Sequence, residues 1–202
     1  MIGREADTDG SDHDATNRAP TSSTASVATT AEAGSEFDGF AVANPYDSPA
    51  GYEGLDDLVE QSDVVAVVDV VAERAGATVD VDEHGDRSDQ LLLDVEIVEA
   101  VKGGDEGDLL SIWYGEVFVE TRTLNITSEN TRLQPGDRVL VGLVEDDRAE
   151  YADLYGFQST SAFFIVGADE RFVPLERSIP AGQEIQARPL PDVLAAARAV
   201  AT

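Results

Sequence analysis

Between Ser62 and Lys102 the chain carries two long runs of strand-forming residues, SDVVAVVDVVAE and LLLDVEIVEAVKG, joined through an acidic stretch. The first run constrains the fold most. Successive side chains of an extended chain point to opposite faces. Val64, Ala66, Val68 and Val70 therefore face one way and Val65, Val67 and Val71 the other, interrupted only by Asp69. A strand apolar on both faces must be covered on both, which makes it a central strand or a member of a closed barrel. In the second run Leu91, Leu93, Val95 and Ile97 alternate with Leu92, Asp94, Glu96 and Val98, the pattern of a half-buried strand that stops at Lys102-Gly103-Gly104. Arg74 to Gln90, between the two, reads as a polar connection.

The rest of the chain supplies partners for this pair. LLSIWY, residues 109–114, reads as a third strand, and EVFVETRTLNI continues into a fourth. In LQPGDRVLVGLVE a Pro135-Gly136 turn leads into a strand with Val139, Val141 and Leu143 on one face. Residues 156–167 and 171–176 form an expected closing hairpin around Gly167-Ala168-Asp169. Helical spacing is confined to GLDDLVEQS, residues 54–62, and to Pro191–Ala201. The expected fold class is all-β and mainly antiparallel: a small OB-like barrel over residues 51–202 with short flanking helices. Residues 1–50, rich in Ser, Thr, Ala and Asp, are expected to be a disordered acidic tail, or a tether to an anchor. Within that tail FDGFAVANPY is the exception. Its Phe37, Phe40, Val42 and Tyr46 suit an extended arm docked on the domain.

Charge sets the environment and excludes partners. The 202 residues carry 41 acidic and 13 basic side chains, a net charge of −28, and only Lys102 is a lysine. A carboxylate-dense surface that keeps arginine and nearly lacks lysine resembles the proteins of extreme halophiles. Nucleic acid is excluded as a partner, because phosphate backbones are bound by Lys and Arg clusters and this chain has none. The absence of cysteine removes disulfides and thiolate chemistry. No apolar run approaches the roughly 18 residues of a membrane span, and the opening MIGREADTDG does not read as an export signal.

A resemblance rests on five motifs: the helix ending in Ser62-Asp63-Val64-Val65, the Val-rich strand after it, V-x-x-V-K-G at Val98–Gly103, L-x-P-G-D-R-V-L-V at Leu133–Val141, and Tyr155-Gly156-Phe157-Gln158. Together they resemble a widespread group of haloarchaeal extracytoplasmic OB-fold domains, similar to netrin-like and metalloproteinase-inhibitor (TIMP-like) barrels. The resemblance spans roughly residues 55–167. It implies an exported barrel, extracellular or at the cell surface, used for binding. Inhibition in the TIMP-like barrels uses an N-terminal cysteine on the target's zinc, and this chain has no cysteine, so no inhibitory residue carries over.

Among residues that can carry chemistry, the loop DVDEHGDRSD offers Asp80, Asp82, Glu83 and Asp86 as oxygen ligands for a weakly held calcium or magnesium ion. Counted from Asp80, positions 5 and 12 are His84 and Leu91, so the loop fails the EF-hand template and equally reads as a solvated acidic loop. His13 and His84 cannot be brought together on a rigid element, and no phosphate-binding glycine motif is present. Trp113 and Phe157 read as core, whereas Tyr151 and Tyr155, in the acidic segment EDDRAEYADLYG, are expected as exposed contacts. Asn125-Ile126-Thr127 is a glycosylation sequon. The reading is a non-catalytic binding or interaction module without a required cofactor and with a protein as the partner class. The alternative is a structural subunit that self-assembles through the arm containing Phe37, Phe40 and Tyr46.

The charge makes a first prediction. At molar salt the Debye length is roughly 3 Å, and repulsion among the carboxylates is screened. In dilute buffer it is not. Circular dichroism should show the fold loosening below about 1 M salt; a spectrum unchanged by dialysis into low salt would contradict the halophilic reading.

Overall fold

A computed structural model describes residues 35–43, 52–80, 87–126, 132–148, 151, 153–156, 163–172, 180–186 and 188–202. They belong to one compact unit, Glu32–Thr202. The valine run lies in β2 (Val64–Asp80), which is paired on both sides. Along one side runs β3 (Arg87–Lys102), antiparallel; along the other runs β6 (Arg138–Glu145), also antiparallel, with Ala66 opposite Val141 and Val68 opposite Val139. Val64 to Val68 are all buried, and so the two-faced apolar pattern is covered on both faces. Val71 departs from the expectation. The register slips between Val70 and Ala72, and this bulge turns Val71 outward to 46% exposure.

Residues 74–80 and 87–90 are strand where a polar connection was expected. β2 and β3 continue as one long hairpin until Asp80 faces Arg87. Polar cross-strand pairs hold it: Arg74 makes a two-pronged contact with Asp94 at 2.7 and 3.0 Å, and the Thr78 hydroxyl donates to Asp89 at 2.6 Å. Such pairs extend a ladder without apolar alternation, so periodicity does not reveal them.

The meander continues through β4 (Leu109–Phe118) and β5 (Thr123–Ile126), both antiparallel to their predecessors. The short β1 (Ala41–Ala43) adds to the free side of β5, in parallel. On the far side of β6 lie β7 (Tyr155–Gly156) and β8 (Phe163–Ile165). Of the hairpin expected from residues 156–167 and 171–176, the described residues show the bridge of Val166 with Phe172 across the turn at Gly167–Glu170; residues 157–162 and 173–176 lie outside the described residues. The architecture is thus all-β and mainly antiparallel, with few short helices. The sheet curls until β7 also meets β4 at one residue pair, Ile112 with Tyr155. One pair does not zip the two sides together, and the barrel is left open where a closed one was expected.

Among the described residues there are three helices: α1 (Leu55–Gln61), immediately before β2, and α2 (Pro180–Gln186) and α3 (Leu190–Val200), after the last strand. α1 buries Leu55, Leu58 and Val59, and α3 buries Leu190, Val193, Leu194 and Ala197. No basic residue lies in the last turn of α1. Its free carbonyls are met instead by Lys102, whose Nζ donates to the Val59 carbonyl at 2.8 Å. The chain's one lysine thus fastens α1 to the end of β3. No helix among the described residues is long and apolar enough to cross a membrane.

At Gly115 β4 runs close against the backbone of β5. A Cβ there would lie 2.1 Å from the Asn125 carbonyl oxygen, a backbone atom that cannot turn aside. Gly115→Ala should therefore cost about 1–3 kcal/mol, read by denaturant unfolding in high salt. A loss within error would mean that β5 shifts freely.

Candidate interaction site

The most elaborated polar site among the described residues is built where the arm meets the sheet. A turn over residues 35–40 begins it. The Ser35 hydroxyl accepts from the Phe37 backbone N–H at 3.0 Å, Phe40 N–H donates to the Phe37 carbonyl at 3.0 Å, and Gly39 supplies the positive φ of 80°. This turn drives Phe37 into the core, where it is 4% exposed. Phe40 packs edge-on against it, with ring centroids 5.4 Å apart, and its own outer face is covered by the Arg122 guanidinium at 4.7 Å. Ala41 N–H then bonds the Arg122 carbonyl, and the chain runs on as β1 beside β5.

Beneath the turn lies a buried ion pair. The Glu73 side chain is 0% exposed and that of Arg132 12%. Arg132 grips both carboxylate oxygens, with Nε to Oε1 at 3.2 Å and Nη2 to Oε2 at 2.6 Å. The remaining capacity goes to the arm. Arg132 donates to the Ser35 Oγ at 2.9 Å and to the Phe37 carbonyl at 3.3 Å, and the Ser35 hydroxyl donates in turn to Glu73. Two residues beyond Glu73, the Ala75 N–H donates to the Glu36 carboxylate at 2.8 Å. An ion pair taken out of water is tolerated only when its remaining hydrogen-bonding groups are satisfied, and here the arm satisfies them.

Phe37 and Phe40 are therefore brought together by the structure, against their own chain. Tyr46 lies outside the described residues. Tyr151 is 7% exposed, which corrects its expected exposure. Its ring packs at a tilt against Trp113, with centroids 5.0 Å apart, and Arg148 covers it at 4.1 Å while being held by Asp146 at 2.6 Å. An acidic neighbourhood marks exposure of the backbone, whereas an aromatic ring with an arginine to cover it folds inward. Trp113 is half-buried, and its Nε1, shielded from solvent, has no hydrogen-bond partner among the described residues. Tyr155 is half-buried in β7, and Asn125 is half-buried in β5 between β4 and β1.

Asp82, Glu83 and Asp86 lie outside the described residues, as do His13, His84 and Phe157; Asp80 ends β2. Among the described residues no group of three metal-ligating side chains comes together. Several carboxylates are tuned towards their charged form. The hydrogen bond from Arg138 holds Asp69 below the usual carboxylate range, and that from Arg148 does the same for Asp146. Burial works against ionisation of Asp94, but hydrogen bonds from Arg74 and Ser111 outweigh it and its pKa too is lowered.

Glu73, Arg132 and Ser35 carried no signal in the sequence. The parity of the valine run places Glu73 with Val65 and Val67, but the bulge at Val71 breaks the count, and Arg132 is isolated in a polar stretch. No protein-family model matches the chain, and no characterised protein matches its sequence.

The geometry of the clasp predicts an asymmetric mutational response. Arg132→Ala strands a buried carboxylate and should cost about 3–5 kcal/mol, whereas the apolar pair Glu73→Leu with Arg132→Met should recover most of that loss. Denaturant unfolding in high salt measures both. A single-variant loss under about 1 kcal/mol would show that the pair is solvated.

Proposed function

We propose that this chain is a non-catalytic binding or interaction module, exported by a halophile and working outside the cytoplasm, whose sheet edge and clasp recognise an extended protein segment. One observation carries the reading: the domain holds such a segment, its own residues 35–43, by strand addition to β5, an aromatic anchor at Phe37 and a buried polar grip from Glu73 and Arg132. Backbone pairing supplies affinity in this mode of recognition, and side-chain pockets supply selectivity. The direction of the carboxylate shifts fits the same reading. Asp69, Asp94 and Asp146 are drawn towards the ionised form by arginines, opposite to what a general acid requires. The halophilic and extracytoplasmic parts rest on the charge and on the resemblance to exported OB-fold domains.

A second reading, a structural subunit of a cell-surface assembly, is favoured by the position of β1. It ends the strand order of the sheet, and Val42 on it is 46% exposed.

A fluorescent peptide with the sequence of residues 35–43 tests segment recognition in about 3 M salt, where charge repulsion is screened. Saturable binding is expected to a Phe37→Ala chain, whose own arm is weakened, and should be lost when Arg132→Ala is added. Failure of the peptide to bind the Phe37→Ala chain would remove the reading.

A further inference from the structure

We propose that the arm exchanges between two copies of this chain, so that Ser35, Phe37 and Ala41–Ala43 of each copy fill the clasp and the β5 edge of the other. The inference rests on the second reading above and names its contact.

The receptor is shaped for this segment. It presents Arg132 to a hydroxyl and a backbone carbonyl two residues apart, a place in the core for the ring at Phe37, and the edge of β5 for the three residues from Ala41. A second copy offers the identical segment, so that exchange conserves every one of these contacts. The connection limits the geometry. Residues 44–51 lie between β1 and the residues that lead into α1, and eight residues reach roughly 26–29 Å when extended. That reach is shorter than the roughly 40 Å diameter of a compact unit whose radius of gyration is about 15 Å, so the exchange requires the two β5 edges to face each other.

An empty clasp is unfavourable, because it opens the Glu73–Arg132 pair without the Ser35 hydroxyl and the Phe37 carbonyl that complete it. The site is therefore filled at equilibrium, by its own arm or by a partner's. Which of the two fills it depends on how closely two chains of charge −28 can approach. Molar salt reduces their repulsion to a range of roughly 3 Å, and the exchanged dimer should grow with both salt and protein concentration.

Because the chain has no cysteine, introduced thiols report the contact cleanly. Ala41 and Thr123 are register partners on β1 and β5, within disulfide reach. Full-length Ala41→Cys and Thr123→Cys chains, one carrying a mass tag, are refolded together in about 3 M salt and oxidised. The expected result is a covalent heterodimer several-fold above that from a mixture of Ala41→Cys with Leu109→Cys. Leu109 is 71% exposed and begins β4, at the end away from the residues that pair with β5. A chain carrying both Ala41→Cys and Thr123→Cys verifies that the pair forms its disulfide. Heterodimer no greater than in the Leu109 mixture, with the double variant closing as a monomer, overturns the exchange. Light scattering on the unmodified chain then separates the two ideas. An oligomer keeps the assembly reading with a different contact, and a monomer removes both.

Discussion

The pairing of β2 on both sides is the constraint from which the rest of the molecule follows. Val64 to Val68 can be dry on both faces only if the sheet extends beyond them in both directions and curls so that one face becomes an interior. Each fully buried valine contributes on the order of 1.5–3 kcal/mol, and the register with β3 and β6 places the others. α1 closes the layer immediately before the strand, with Leu58 beside Gly142 of β6, where even a Cβ would lie 2.9 Å from the Leu58 side chain. Among the described residues the sheet is wound tightly enough to bring β7 to β4 at one residue pair, and that pair alone does not close the barrel.

Electrostatics does little to hold this sheet together and much to decide where the few cations go. Arg74, Arg138, Arg148 and Arg198 lie on the surface against Asp94, Asp69, Asp146 and Glu99, with side chains between 44% and 49% exposed. Pairs of that kind contribute roughly 0–1 kcal/mol each and less in high salt. Three of the arginines, Arg138, Arg74 and Arg148, draw Asp69, Asp94 and Asp146 towards the ionised form. Lys102 and Arg132 act differently, since one meets helix carbonyls and the other a carboxylate cut off from water. Of the two, Arg132 is the more withdrawn from solvent and the less open to screening by salt.

Much of the fold was legible in the sequence, because its signals are local and periodic. The double-faced run of β2, the alternation of Leu91 to Ile97, the Pro135-Gly136 turn and the C-terminal helix are each set by a pattern of apolar residues or by turn chemistry. What escaped was set by register. The outward turn of Val71, the burial of Glu73 and the polar extension of the β2–β3 hairpin all depend on bulges, and a bulge inserts one residue without leaving a compositional trace. The site was half legible for the same reason. Phe37 and Phe40 announced an arm, while the buried pair that receives it could not be seen until the slip at Val70/Ala72 put Glu73 on the inner side.

The placement of that pair bears on why the arm is more than a stray edge strand. Three residues of parallel pairing to β5 make a small ladder, with one neighbour and an exposed Val42, too little by itself to fix a segment against its conformational entropy. Phe37 adds the burial of an aromatic ring, and the clasp adds direction. Its donors meet the Ser35 hydroxyl and the Phe37 carbonyl only when the turn over residues 35–40 has formed. The interaction thus selects a folded turn followed by a strand, and an apolar segment lacking the serine would leave the Glu73–Arg132 pair incompletely satisfied. Hydrophobic burial of Phe37 holds the arm on its own domain, and the desolvated ion pair fixes the turn that precedes its strand.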